Sequence, residues 1–158
     1  MTQQQSQLIA AAIEYDRGDA RRIQHFMKVY GFATTIATLE QLDSQTTFIL
    51  ETAAILHDIG IHEAEHKYGK CSGPYQEKEG PAVAREIMMS ISGYNQETIE
   101  RVEWLIAHHH HVNDIHDIDH QILVEADYLV NIYEDELSAS AIDNVRTKVF
   151  RTNAGLKL

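Results

Sequence analysis

The chain is poor in cysteine and in long apolar runs, and each shortage excludes a class of protein. Its single cysteine, Cys71, excludes an internal disulfide framework. No apolar run reaches the roughly 18 residues of a membrane span, and the start MTQQQSQ lacks a basic and apolar leader. We therefore expect a reduced, cytoplasmic protein without a membrane partner.

Positive charge is also scarce. The chain has 13 Lys and Arg residues against 24 Asp and Glu, which gives a net charge of -11. Binding of a nucleic-acid polymer depends on clustered basic residues, so we expect no such partner. The sequence contains no GxGxxG, P-loop or GxSxG motif, which excludes dinucleotide oxidoreductases, kinases and serine hydrolases. A small phosphorylated ligand held by a metal ion remains compatible with this composition.

Only two prolines and eight glycines interrupt the chain, and the segments between them have a helical period. The sequence therefore predicts an all-α fold, a single-domain helical bundle over residues 1–158 with its core at about 19–150. The segment from His66 to Gly80 contains three glycines and Pro74, and it predicts one long loop. Pro81 is predicted to begin the next helix, because proline suits the first helical position.

The stretch AAILHDIG places two hydrophilic residues at the end of an apolar helix. His57 follows Leu50 and Ala54 at helical spacing, which predicts that its imidazole is buried. Gly60 is predicted to end this helix in a left-handed cap. Because burying an imidazole beside a carboxylate is costly without partners, the His57 and Asp58 pair indicates a compensating group nearby.

Two other apolar helices each contain one polar residue at an inward position, namely His25 and Asp127. The helix of His25 is predicted to begin near Asp19, a good N-cap, and to carry two neighbouring apolar stripes. Taken alone, a buried histidine or aspartate is more commonly a hydrogen-bonded core residue than a ligand. The order of one histidine, then a His-Asp pair about thirty residues later, then an aspartate after about seventy more is far more specific. Two imidazoles and two carboxylates could then meet at one cation.

The stretches RRIQHFMKV, AAILHDIG, QEKEGPAVAREI, IAHHHH and VEADYLVN resemble the HD superfamily of metal-dependent phosphohydrolases, from about Asp19 to the end of the chain. The resemblance implies a helical bundle of the HD-domain type. It also implies that His25, His57, Asp58 and Asp127 bind a divalent metal ion, and that Arg22 contacts a phosphate group.

The sequence departs from this pattern in three ways. Two-metal members tend to have a histidine where this chain has Gln76, and a lysine that commonly follows HDIG is replaced by Ile61. No GYP triplet follows the histidine run, which disfavours a cyclic dinucleotide phosphodiesterase of that type. We therefore predict one divalent ion per chain, which could be Mn, Fe, Co, Ni, Zn or Mg.

The histidine run leaves two residues that could bind a second ion or the substrate, His108 and His109. Helical spacing from Leu105 and Ile106 favours His109 for the inward position. The predicted catalytic residues are Asp58, Arg22 and His109. The predicted substrate-binding residues are Arg22, Lys67, Lys70, Gln76, His108 and His109. For the lysines, a solvated loop charge is an equally good interpretation.

The function predicted from the resemblance is hydrolysis of a phosphomonoester or phosphodiester of a nucleotide or other small metabolite by a metal-activated water. One alternative is a sensor module that binds a metal or nucleotide in the same pocket without turnover. A weaker alternative comes from HEAEH at residues 62–66, which satisfies the HExxH pattern of zinc proteases but lies in a short polar segment. A homodimer is left open.

Overall fold

The computed structural model describes all 158 residues and contains helices without any β-strand, which confirms the all-α prediction. Eight α-helices precede a final 3-10 helix at Gly155–Lys157: α1 Gln3–Tyr15, α2 Ala20–Leu39, α3 Ser44–Leu56, α4 Ile61–Tyr68, α5 Gly73–Met89, α6 Gln96–His108, α7 Asp117–Glu134 and α8 Ala139–Lys148. None of these helices is both long enough and apolar enough to cross a membrane.

Polar side chains cap the helices that carry the site. Asp19 accepts a hydrogen bond from the backbone N–H of Arg22 at the start of α2, as the sequence predicts. Asp43 accepts hydrogen bonds from two backbone N–H groups at the start of α3. Such caps satisfy donors that have no partner inside the helix, so they fix where α2 and α3 begin.

Helix α2 packs against α3 and α7, and α3 also contacts α1 and α6. The apolar stripes of α2 include Val29, Ala33 and Ile36, which are fully buried. The other large apolar side chains that are fully buried are Leu8, Leu50, Ile55, Leu56, Met88, Leu105, Ile106, Ile122 and Leu123. Helices α2 and α7 and the turn that follows α3 carry the four predicted metal ligands, so the packing of these three elements brings the ligands together.

The predicted loop between His66 and Gly80 is wrong, because most of it is helical. Helix α4 ends at Tyr68, and α5 already begins at Gly73 and passes through Pro81 without a break. Pro81 lacks an N–H group, so one backbone hydrogen bond of α5 is missing at this position. The helix persists because it is buried against the bundle on both sides of the proline, at Gln76 and Ala84.

Gly60 does not form the predicted left-handed cap. Gly60 and Gly80 instead allow two segments to pack closely. Gly60 has a right-handed backbone with φ -76°. A Cβ atom at Gly60 would lie 2.5 Å from the backbone nitrogen of Gly80, and one at Gly80 would lie 2.7 Å from the Cγ2 atom of Ile106. The two glycines therefore let α5 lie directly against the turn that follows the His57 and Asp58 pair.

A buried carboxylate on α7 binds the backbone of the segment that follows α8. Glu125 is fully buried and accepts hydrogen bonds from the backbone N–H groups of Arg151 and Thr152, at 2.6 and 2.9 Å. The hydroxyl of Thr152 and the side-chain amide of Gln121 also donate to Glu125. Glu125 lies two residues before Asp127, so this network helps to fix the position of α7 near Asp127.

Candidate metal centre

Donor atoms from α2, from α7 and from the turn after α3 converge at one point in the bundle. The Nε2 atom of His25 lies 3.2 Å from that of His57, 3.2 Å from Oδ1 of Asp127 and 3.6 Å from Oδ2 of Asp58. The Nε2 atom of His57 lies 3.5 and 3.7 Å from the same two carboxylate oxygens. Donor atoms that share one divalent ion are roughly 3 to 3.5 Å apart. His25, His57 and Asp58 form a group whose donor atoms lie within 4.8 Å of one another, and Asp127 contacts both imidazoles of that group, so the four residues could hold a single cation.

Hydrogen bonds orient the two imidazoles toward that point. The Nδ1 atom of His57 lies 2.9 Å from the carbonyl oxygen of Ala54, which can only accept, so Nδ1 carries the proton of the neutral ring. The Nδ1 atom of His25 lies 2.9 Å from a carboxylate oxygen of Glu134. Each ring therefore presents its Nε2 lone pair to the centre, which is the form that binds a metal ion.

The carboxylates are fixed and charged. Asp127 accepts a hydrogen bond of 2.9 Å from the side-chain amide of Asn131, one turn further along α7. Burial disfavours the charge of Asp58 and Asp127, yet the adjacent imidazoles outweigh it and hold the pKa of both carboxyls far below the usual range. Burial also lowers the pKa of His57, but the two carboxylates raise it more, to about 9. A cation bound here would take the place of the His57 proton and would meet two imidazole nitrogens and two carboxylates, a donor set that suits a divalent metal ion.

A second group of donors begins at Asp58. Its Oδ2 atom faces His25 and His57, whereas its Oδ1 atom lies 3.5 Å from Nε2 of His109. The Nδ1 atom of His109 lies 2.8 Å from the carbonyl oxygen of Ile106, and its buried Nε2 atom has no hydrogen-bond partner. The three side chains of Asp58, His109 and His110 place donor atoms within 4.8 Å of one another. His109 therefore points inward, with an acceptor nitrogen free for a ligand or water.

The centre opens into a cleft of about 460 Å³, whose floor includes His25 and Asp58. Arg22 lines this cleft and is held on three sides, by Asp19 at 3.1 Å, His62 at 2.9 Å and Glu65 at 2.8 Å. The remaining lining residues are Arg21, Ile61, Cys71, Asn131, Glu134 and Asp135. A ligand in the cleft would therefore meet His25, Asp58 and the Arg22 guanidinium together.

Comparison with known proteins agrees with this geometry. Residues 22–132 match the family model named HD domain, a span that contains all four converging residues. The chain belongs to the HD domain family. The crystal structure of a predicted HD superfamily hydrolase from an uncultured Thermotogales bacterium is similar, with a TM-score of 0.68 and 24% sequence identity over 96% of this chain and 80% of that one. At this identity the likeness concerns the fold. No match was found among curated proteins.

The two predicted substrate-binding lysines lie away from the candidate metal centre. Lys67 pairs with Glu63 and Glu79, and the ammonium group of Lys70 lies 4.8 Å from the centroid of the Tyr75 ring. Neither lysine lines the cleft.

His108 and Gln76 have different surroundings. The ring of His108 stacks on Trp104 at 4.2 Å and its Nδ1 atom lies 2.7 Å from the Trp104 carbonyl oxygen, so it faces away from the centre. Gln76 is buried, and its side-chain nitrogen lies 3.1 Å from Nε2 of His110. Gln76 therefore stands behind the second donor group rather than in the cleft.

The HEAEH segment forms the short helix α4, but it does not assemble a zinc-protease site. His62 contacts Arg22 and lies 3.2 Å from a carboxylate oxygen of Asp16, and His66 is exposed. Neither imidazole belongs to a group of three or more metal-ligating side chains. The third ligand that such a protease needs is therefore missing around this motif.

Two residues of the site were missed by the sequence argument, Asn131 and Glu134. Both lie on α7 at four and seven residues beyond Asp127, and they therefore share its face. A search for polar residues at this spacing would have found them. His110 was also missed, because no helical period applies beyond His108, where α6 ends.

Proposed function

We propose that this HD domain is a divalent-metal-dependent phosphohydrolase that acts on a small phosphorylated molecule, either a phosphomonoester or a phosphodiester. The observation that carries the proposal is the convergence of His25, His57, Asp58 and Asp127, in which the imidazole Nε2 atoms lie 3.2 to 3.7 Å from each other and from the carboxylate oxygens. His25 and Asp58 also line a cleft that contains Arg22. When bound there, a divalent cation would make water a stronger acid and offset negative charge on the phosphoryl oxygens.

The charges of the cleft explain why a cation is needed. Its lining contains two arginines but four carboxylates, those of Asp19, Asp58, Glu134 and Asp135. Without added positive charge the cleft would repel a phosphate. Binding of an anionic substrate is therefore expected only in the metal-loaded protein.

Arg22 is suited to hold the substrate. Its three contacts fix the guanidinium before a ligand arrives, so little side-chain entropy is lost when a phosphate binds. A planar guanidinium can donate two parallel hydrogen bonds to phosphate oxygens. We assign to Arg22 the binding and orientation of the phosphoryl group.

His109 is suited to handle the proton of the attacking water. Its Nε2 atom is buried, has no partner and lies beside Asp58, whereas its Nδ1–H is occupied by the Ile106 carbonyl oxygen. A neutral imidazole held in this way can accept a proton only at Nε2. We assign to His109 the orientation of water and the acceptance of its proton.

The decisive experiment strips the protein of metal, reloads it separately with Mn, Fe, Co, Ni, Zn or Mg, and screens phosphomonoesters and phosphodiesters. Hydrolysis should require the metal, and Asp127→Ala should lose both bound metal and activity. Asp143→Ala is the matched control, because Asp143 lies exposed on α8, away from the cleft. Arg22→Ala should raise KM without emptying the metal site, while Arg17→Ala, an exposed arginine, should not.

The same screen tests the sensor alternative. A nucleotide that raises the melting temperature of the metal-loaded protein but remains chemically unchanged would favour a sensor module. Hydrolysis that survives in the metal-free protein and in Asp127→Ala would contradict the proposal altogether.

A further inference from the structure

A second depression of about 380 Å³ adjoins the metal cleft along helix α2. It is lined by Ala20, Arg21, Gln24, Lys28 and Glu134. Arg21 and Glu134 line both cavities, so they form the ridge between them. A ligand bound at the metal centre could therefore extend across this ridge into the second depression.

The two cavities differ in charge. The first cleft contains four carboxylates. Three of them are paired with a basic residue or lie among the converging donor atoms. The fourth, Asp135, lines the first cleft but not the second depression. The second depression contains two cations, Arg21 and Lys28, and one carboxylate. That carboxylate, Glu134, already accepts hydrogen bonds from Lys28 and His25. The second depression thus has a net positive charge that does not depend on a metal.

Arg21 is the cation available to a ligand. Lys28, the other cation of this depression, is paired with Glu134, whereas the exposed Arg21 side chain has no ion pair or hydrogen bond of its own. Gln24 lies one turn further along the same face of α2, is exposed and also has no side-chain partner. A guanidinium and an amide that face one depression are suitable donors for the oxygens of a phosphate.

We propose that this depression, which we name the Arg21 subsite, binds a second phosphoryl group of the substrate. The inference rests on the proposed function, since it places the reacting phosphoryl group at the metal centre. The substrate class is then a small molecule with at least two phosphoryl groups, such as a nucleoside diphosphate. A simple phosphomonoester would leave the Arg21 subsite empty.

The test compares two phosphonates that resist hydrolysis, methylphosphonate and methylenediphosphonate. Each is titrated by calorimetry into the full-length protein loaded with Mn2+, and the ratio of the two Kd values measures the preference for a second phosphoryl group. Arg21→Ala should reduce this preference about tenfold, the value of one lost charge-assisted hydrogen bond. Gln24→Lys, which adds a cation to the Arg21 subsite alone, should increase it.

The control is Arg17→Ala, which removes an exposed arginine paired with Glu14, outside both cavities. It should retain the wild-type preference, which would show that the loss of one positive charge elsewhere does not reduce the preference. Lys28 is left intact because it contacts Glu134, which orients His25.

The inference is overturned if the wild-type protein shows no preference, or if neither the Arg21 nor the Gln24 variant changes it. Failure of the proposed function gives a different result, namely no hydrolysis of any phosphate ester by the wild-type protein. The preference between the phosphonates is measured by binding, so it tests the Arg21 subsite in either case.

Discussion

Replacement of Glu134 tests whether the buried residues around His25 determine metal affinity. Glu134 is only 13% exposed at its side chain, and its Oε2 atom lies 2.9 Å from Nδ1 of His25. This hydrogen bond involves a charged group, so its loss costs about 1.5 to 3 kcal/mol. If that cost falls on the metal-bound state, Kd for the metal rises about 10- to 100-fold.

Two substitutions separate geometry from charge. In Glu134→Gln the amide oxygen can still accept the Nδ1–H proton, so the ring stays oriented and only the charge is lost. In Glu134→Leu both are lost, and we expect the larger rise in Kd. The matched control is Glu136→Gln, which removes the same charge two residues away at an exposed side chain.

The assay is a competition titration of Mn2+ or Co2+ against a fluorescent chelator, with circular dichroism to verify that each variant is folded. We expect the order of affinity to be wild type and Glu136→Gln, then Glu134→Gln, then Glu134→Leu. If both Glu134 variants bind metal as tightly as Glu136→Gln, then the contact with His25 does not support the metal centre and this reasoning is refuted.

Three further predictions concern protons, packing and the histidine run. Because His57 has a pKa of about 9 without metal and must lose its proton to bind one, affinity should rise about tenfold per pH unit between pH 6 and 8, measured by calorimetry; a flat profile would contradict this. Gly80→Ala should lower stability by about 1 to 3 kcal/mol in urea unfolding, whereas Gly31→Ala, with open space around it, should not destabilise the protein. His109→Gln should reduce activity far more than His108→Gln in a steady-state assay; equal losses would show that His109 has no special role.

Much of the fold could be predicted from the sequence because its helices follow local rules. The period of apolar residues predicted the buried stripes of α2, and the carboxylate of Asp19 predicted where this helix starts. The same local rules failed for residues 66–80. There, glycine and proline were interpreted as loop signals, but burial of one face of α5 overrides the missing hydrogen bond at Pro81.

For the site, the sequence indicated which residues are unusual but not how they meet. A buried His-Asp pair and an inward Asp127 can be recognised in the amino-acid sequence, since their positions follow from the helical period. The partners that orient them come from other helices: Glu134 reaches His25 across 109 positions of sequence. No local pattern contains such a contact.

The sequence by itself determined the helical class, the start of α2 and the four residues predicted to bind a cation. Only the tertiary structure shows that Gly60 and Gly80 allow α5 to approach the turn after α3, and that Lys67 and Lys70 lie outside the cleft. It also shows that Arg21 borders a second depression, which is cationic. The physical reason is range. Helix formation depends on neighbours within a few residues, whereas a cleft and its charges depend on the packing of distant segments.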